Sequence, residues 1–429
     1  MSVLARKLRG SRFFRSLLTL SAGTVLAQLI TVLASPLLTR LFSEYELALY
    51  AYALAIANTF MASVNGAYNN GIVVEGDEGK MRALVKLSLL VGFGVSAVVA
   101  LGTFGYLRLT GAPYPALLIT GFVLLTLLTD SVIQVLTAFN NRRGDYRTIA
   151  SVGVWRSLFQ SLGSALAGVL ALRAPGLLGS YVAGNLAGIR RQARDIKPEL
   201  PAILATPAGT LRQVARENRR YPLFAAPARF INSFSYSSVT LFIEALFDIR
   251  LLAYYAMSSR IMGLPLNLIS ANVGKIFFAD ASAEFRQKGA FPRTFDRMAL
   301  FLLAAAAPMG VLMALFAPPV SRWAFGPGWE AAGEYIRILS PLFCVRFVAS
   351  ALSPGYMVCG RQRADAVFQT LLLIASVLSF ALTKWQGLGI EAFLWLVSLS
   401  KSAVYLAYVL LLRAYSRGGG RPAAEGALR

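Results

Sequence analysis

Apolar residues recur along this chain in long runs separated by short polar breaks. Runs long enough to cross a hydrocarbon layer of about 30 Å extend from Leu17 to Leu38, Leu47 to Val64, Leu84 to Leu107, Ala116 to Ala138, Ile149 to Leu172 and Gly176 to Ile189. A basic stretch follows. The second set runs from Pro222 to Ile243, Leu251 to Val273, Met298 to Val320, Tyr335 to Met357, Val367 to Thr383 and Ile390 to Leu412. The pattern predicts an all-α polytopic membrane protein with about twelve transmembrane helices in two pseudo-symmetric six-helix bundles. The expected organisation is a basic N-terminus (1–16), a first bundle (17–189), a basic linker (190–221), a second bundle (222–412) and a disordered tail (413–429).

A short repeat supports the division into halves. Leu41-Phe42, Leu47-Ala48 and Tyr50 recur at the same spacing as Leu246-Phe247, Leu252-Ala253 and Tyr255, each copy between the first and second spans of its half. Repeated bundles are the layout of secondary transporters, in which two similar halves rock about a substrate site.

Composition narrows the class. Hydrophobic residues make up 56% and charged residues 14% of the 429, more apolar surface than a water-soluble chain can hide. The net charge of +22 does not point to nucleic acid, because the basic residues fall mainly between apolar runs. Arg6, Lys7, Arg9, Arg12 and Arg15, then Lys80, Arg82 and Lys86, then Arg142, Arg143 and Arg147, then Arg190 to Arg220 all fall on one side if the N-terminus is cytoplasmic. That asymmetry places both termini in the cytoplasm. Trp323, Trp329 and Trp385 fall near outer ends of spans, where an indole anchors at the headgroups.

The chain has no His, and Cys344 and Cys359 lie along one helix, too far apart to bridge. A transition-metal site, a His-dependent hydrolase and a His proton relay are therefore not expected. No nucleotide-binding loop is present, which argues against direct use of ATP. No cofactor is expected.

Charges within spans are costly and usually mark function. Arg156, Arg229, Arg260, Arg346 and Lys401 lie inside spans, and Lys275 closes the eighth. A cavity lined by such groups attracts anions, and guanidinium forks match phosphate oxygens. Snorkelling or capping of helix ends is the alternative for Arg156, Arg229 and Lys275. Asp130 is the deep acid: either a coupling site for H+ or Na+, or the partner of a buried arginine. Prolines at 36, 227, 265, 341 and 354 predict bent helices, including the first and seventh.

The order of motifs resembles a known family. Arg220-Tyr221-Pro222, Asn232, the second copy of the repeat, Ser259-Arg260, Leu264-Pro265-Leu266 and the stretch Phe277 to Ala283 resemble the second-half signature of bacterial polysaccharide exporters of the Wzx type. Phe325-Gly326-Pro327-Gly328-Trp329-Glu330, Leu339-Ser340-Pro341 and Gly360-Arg361-Gln362-Arg363 are similar to its outer loop and following helix. Leu38-Thr39-Arg40-Leu41-Phe42 and Arg142-Arg143-Gly144-Asp145-Tyr146-Arg147 fit the first half. The chain has Ala67-Tyr68-Asn69 where relatives often carry Arg-Tyr-Glu.

The resemblance implies a flippase of the multidrug/oligosaccharidyl-lipid/polysaccharide exporter superfamily in the bacterial cytoplasmic membrane. Its substrate would be a polyprenyl-pyrophosphate-linked oligosaccharide, with membrane lipids and polysaccharide polymerase machinery as partners. Arg260 and Arg346 lead the expected phosphate contacts, followed by Arg156, Arg229 and Lys401. Arg40, Asn232, Pro265 and Trp329 belong to family motifs and are gating candidates. A small-molecule antiporter of the same superfamily and a lipid II flippase remain alternatives. A membrane-embedded sugar polymerase is a further one, although paired carboxylates and a large outer loop are missing from the sequence.

Overall fold

The computed structural model describes residues 12–418. Arg6, Lys7, Arg9 and the tail beyond Gly418 lie outside the described residues. Among the described residues there is no strand. The chain divides into two compact units between Ser237 and Ser238.

The first unit opens with α1 (Arg12–Leu33) and α2 (Ser35–Leu41), followed by α3 (Glu44–Met61), α4 (Asn69–Val74), α5 (Glu78–Leu109), α6 (Ala116–Arg142), α7 (Tyr146–Val169) and α8 (Arg173–Leu186). Three short helices then come in sequence, α9 (Ile189–Gln192), α10 (Leu200–Leu204) and α11 (Ala208–Glu217). A π-turn at Tyr221–Ala225 leads into α12 (Ala226–Leu246), within which the two units meet in the chain. The second unit continues with α13 (Ile249–Pro265), a π-turn at Leu266–Ser270, α14 (Ala271–Lys288), α15 (Pro292–Phe325), α16 (Glu330–Leu352), α17 (Gly355–Val358), α18 (Gln362–Gln386) and α19 (Ile390–Ser416).

Among the described residues, seven helical stretches are each long and apolar enough to cross a membrane. They are Ala22–Leu41, Glu78–Leu109, Ala116–Arg142, Pro292–Phe325, Glu330–Val358, Gln362–Gln386 and Ile390–Ser416. The other expected crossings fall on α3, α7, α8, α12 and the α13–α14 pair, which are shorter, more polar or interrupted. The sixth differs most from expectation. Its helix, α8, stops at Leu186 with 14 residues, about 21 Å at 1.5 Å per residue, and Gly188 turns the chain at a left-handed φ of 89°. The final helix runs past Leu412 to Ser416, so the first residues assigned to the tail are helical.

Prolines set the interruptions. Pro36 sits in the first turn of α2, where a missing N–H is tolerated, and the helix breaks at Ala34 just before it. Pro265 ends α13 and the π-turn follows directly. A one-residue interruption at Ala34 falls within the first span, and a π-turn at Tyr221–Ala225 precedes α12 in the seventh.

The repeat marks the same corner in both halves. Leu41-Phe42 closes α2 and Ser43 caps α3 through a full capping box with Glu46. Leu246-Phe247 closes α12 and Asp248 caps α13 through Arg250 N–H. Leu47, Ala48, Leu252 and Ala253 are all buried, so the repeated apolar pairs are packing positions.

Helix pairing inside each unit depends on small residues. In a bilayer, lipid is as apolar as leucine, so association rests on close van der Waals approach. On α5, Ser88, Gly92 and Ser96 are buried facing α6, and a methyl added at Gly92 would overlap Ser131 and Asn65. On α16, a Cβ at Gly333 would reach within 2.6 Å of the Ala317 carbonyl of α15.

The basic linker is folded. Ile196, Ile203 and Val214 bury against Met81, Leu84 and Phe139 at the ends of α5 and α6. Glu199 accepts from Arg143 at 2.6 Å and Arg82 at 3.4 Å, Lys80 pairs with Glu217 at 2.8 Å, and Lys86 donates to the Leu204 and Thr206 carbonyls. The three apolar positions are too widely spaced in a charged stretch to register as a helical period.

Candidate functional site

In the first unit the deep charges Asp130 and Arg156 each bond to neutral amides, in two neighbouring sets. Asp130 on α6 accepts from Gln134 Nε2 at 2.6 Å, one turn along the same helix. Gln134 also donates to the Met61 carbonyl at the end of α3 and accepts from Asn69 at 3.5 Å. On the other side, Arg156 of α7 donates to Asn185 Oδ1 of α8 at 2.8 Å, and Gln160 donates to the same oxygen at 2.9 Å. Asn185 in turn donates to Thr129 Oγ1 at 3.4 Å, next to Asp130 in sequence. Asp130 and Arg156 are within electrostatic reach of each other, while the carboxylate accepts from the Gln134 amide and the guanidinium donates to the Asn185 amide.

The helix period explains the arrangement. Asp130 and Gln134, and Arg156 and Gln160, are i,i+4 pairs, each on one helix face. The neighbouring residues Trp155 and Phe159 are 46% and 52% exposed, as befits the adjoining apolar face. Beside this network Tyr50, Phe122 and Tyr181 form an aromatic cluster, with ring centroids 5.6 to 6.3 Å apart. Tyr181 lies within electrostatic reach of both Arg156 and Asp130.

Arg229 on α12 is held away from this network. It donates to Asn70 Oδ1 at 2.8 Å and to the Ala62 carbonyl at the end of α3 at 3.5 Å, the helix-capping arrangement foreseen as its alternative. Asn69 and Asn70 therefore face two different partners, Gln134 and Arg229. Both follow Ala67, which holds a left-handed φ of 59° while almost fully buried. A non-glycine residue in that conformation costs on the order of 1 kcal/mol.

In the second unit several cations lie on neighbouring helices. Lys401 on α19 is 6% exposed, and the Arg346 guanidinium of α16 lies within electrostatic reach of it. Tyr255, the repeat tyrosine of α13, also feels Arg346 and bonds to Ser259. Arg260, one residue further on, is half-buried. Lys275 on α14 contacts Asn272 Oδ1 at 3.5 Å. Among the described residues no three His, Cys, Asp or Glu side chains converge as a metal site requires.

The family-motif residues occupy corners. Arg40 is exposed in the last turn of α2, Asn232 is half-buried on α12, and Pro265 ends α13 at the π-turn. Trp329 corrects the anchor assignment. It is only 5% exposed, packed edge-on against Tyr254 at 5.3 Å and beside Phe325 at 5.9 Å. Trp323 and Trp385, at 81% and 82% exposed, have the open setting an anchor needs. The cause is the turn at Gly326 and Gly328, both at positive φ, which folds the indole back under the loop.

Sequence reasoning missed Gln134, Gln160 and Asn185. Neutral amides carry no charge signal, and their helical spacing from Asp130 and Arg156 was the available clue.

The chain matches the family described as polysaccharide biosynthesis protein over residues 113–334, more than half its length, and it belongs to that family. No curated protein matches it in sequence. Among solved structures it is similar to an inward-facing multidrug resistance MATE family transporter of the MOP superfamily, with a TM-score of 0.71 and 12% identity over 90% of this chain and 94% of that one. It is also similar to the lipid II flippase MurJ in an inward closed conformation, with a TM-score of 0.66 and 12% identity over 91% and 86%. A MOP superfamily transporter from Pyrococcus furiosus matches at 0.54 and 13% identity over 94% and 96%. Identities this low establish a shared fold. Together with the apolar helices, that fold makes the chain a multi-pass membrane protein.

Proposed function

We propose that this protein is a flippase that moves a polyprenyl-pyrophosphate-linked oligosaccharide from the cytoplasmic to the outer leaflet of a bacterial cytoplasmic membrane by alternating access, with both termini cytoplasmic. The observation that carries the reading is the match to the polysaccharide biosynthesis family on a fold shared with exporters and a lipid flippase. The buried Lys401 beside Arg346 supports an anionic cargo, since cations placed in a low-dielectric interior are most readily offset by phosphate oxygens. The same pair argues against export of organic cations, which calls for acidic or aromatic partners. The polyprenyl tail stays in lipid, because moving it into a polar cavity would forfeit its hydrophobic stabilisation. Polymerase machinery would take up the product outside, and transport needs no enzymatic step.

The test is the leaflet distribution of labelled lipid-linked oligosaccharide in cells with and without the protein, read with a membrane-impermeant sugar-modifying probe. Loss of outer-leaflet label with accumulation inside is expected on deletion. An unchanged distribution in cells lacking a redundant transporter would transfer the reading to small-molecule export.

A further inference from the structure

The neighbouring amide sets around Asp130 and Arg156 in the first unit suit a different ligand from the cations of the second. Arg156 shares its surroundings with the Asp130 carboxylate, so its charge is largely compensated and an incoming phosphate would meet the acid as well as the guanidinium. A sodium ion fits no better. The group bonded to Asp130 presents an N–H, from Gln134, and the nearest charge is Arg156, whereas a hard cation requires converging oxygens.

What these side chains do offer is planar donors and acceptors close together. Gln160, Asn185, Asp130 and Arg156 supply amide, carboxylate and guanidinium groups, and Arg156 Nε is buried with no hydrogen-bond partner among the described residues. Next to them stand the half-buried rings of Tyr50 and Tyr181, 6.0 Å apart. A sugar ring presents hydroxyls that donate to a carboxylate and accept from a guanidinium, together with a C–H face that packs on the electron-rich face of an aromatic ring.

We propose that Tyr50, Tyr181, Gln160, Arg156 and Asp130 of the first unit form a subsite for a neutral sugar of the transported lipid, separate from the groups that hold its phosphates. The inference rests on the flippase reading and assigns part of its substrate. Asn185 and Gln134 are positioning residues, the first bonded to the guanidinium and the second to the carboxylate.

The experiment measures binding to the full-length protein in nanodiscs with two probes, a polyprenyl pyrophosphate carrying a neutral disaccharide and the same lipid without sugar. Wild type should bind the glycosylated probe about tenfold more tightly, the equivalent of one or two net hydrogen bonds. Gln160→Met keeps the aliphatic stem that lies close against Gly184, and Tyr181→Leu removes the ring. Each should abolish the advantage while leaving affinity for the bare lipid within about twofold. Melting curves of both variants accompany the titrations, and Gln160→Met serves alone if Tyr181→Leu does not fold.

Parallel loss on both probes would make the network a phosphate site or a structural one and overturn the proposal. So would a tenfold advantage retained in a folded variant. A wild type that binds both lipids equally removes the sugar subsite and leaves the flippase reading standing. One that binds neither removes both.

Discussion

The two units share a helical plan and a repeated corner, yet the charges named inside them are placed differently. In the first, Asp130 bonds to Gln134 and Arg156 to Asn185, and the two opposite charges lie within electrostatic reach of each other. In the second, Arg346 and Lys401 stand within reach of each other, two like charges in one interior. Pseudo-symmetry thus governs backbone and packing, while the chemistry of the halves has diverged.

Reversing the charges of the second unit is the sharpest way to break the contrast. Arg346→Glu with Lys401→Glu should reduce flipping of the labelled precursor by roughly a hundredfold, since an attractive contact of a few kcal/mol becomes repulsive. Outer-leaflet label in reconstituted vesicles reads the effect, and near-normal flipping would remove the anionic role of this pair.

In the first unit the effect should appear in stability. Asn185 is fully buried and accepts from both Arg156 and Gln160, so Asn185→Leu strands two donors and should cost about 1–3 kcal/mol. Thermal unfolding in detergent measures it. A cost near zero would mean that lipid or water replaces the amide.

The smallest effect belongs to the folded linker. Hydrogen bonds from Lys80 and then Gln213 hold the Glu217 carboxyl below its ordinary range. A carboxyl depressed in the folded state stabilises above its unfolded pKa, and that contribution is lost as pH falls through the folded value. Both groups are open to solvent, so the effect is slight and screened by salt. The protection of α11 amides relative to their intrinsic exchange rate at each pH should fall modestly at about pH 3 compared with neutrality, and Glu217→Gln should remove most of the difference. Equal exchange of wild type and variant across that range would show that the apolar anchors alone hold the helix.

Much of the architecture was legible before any coordinates. A hydrocarbon layer demands a long uninterrupted apolar run, so span positions follow from composition along the chain. The repeat at Leu41 and Leu246 was readable because corner packing and capping need the same residue types in each half. The cationic residues were readable because charge in an apolar run is conspicuous. Asn185 and Gln160 were not, because an amide inside a span looks the same whether it bonds a charge, its own helix or lipid. Trp329 was misplaced because nearness to a span end does not tell which way a glycine turn sends an indole.

By itself, then, the sequence determined the membrane class, the succession of helices, the doubled plan and the set of buried charges, all consequences of local chemistry and solvent. Only the tertiary structure decided which partners those charges found. Asp130 reaches Gln134, Arg156 reaches Asn185 across two helices, Arg229 reaches the end of α3, and Arg346 comes close to Lys401. Such pairings depend on the rotation and spacing of packed helices, set by small residues such as Gly92 and Gly333, and no single segment contains that information.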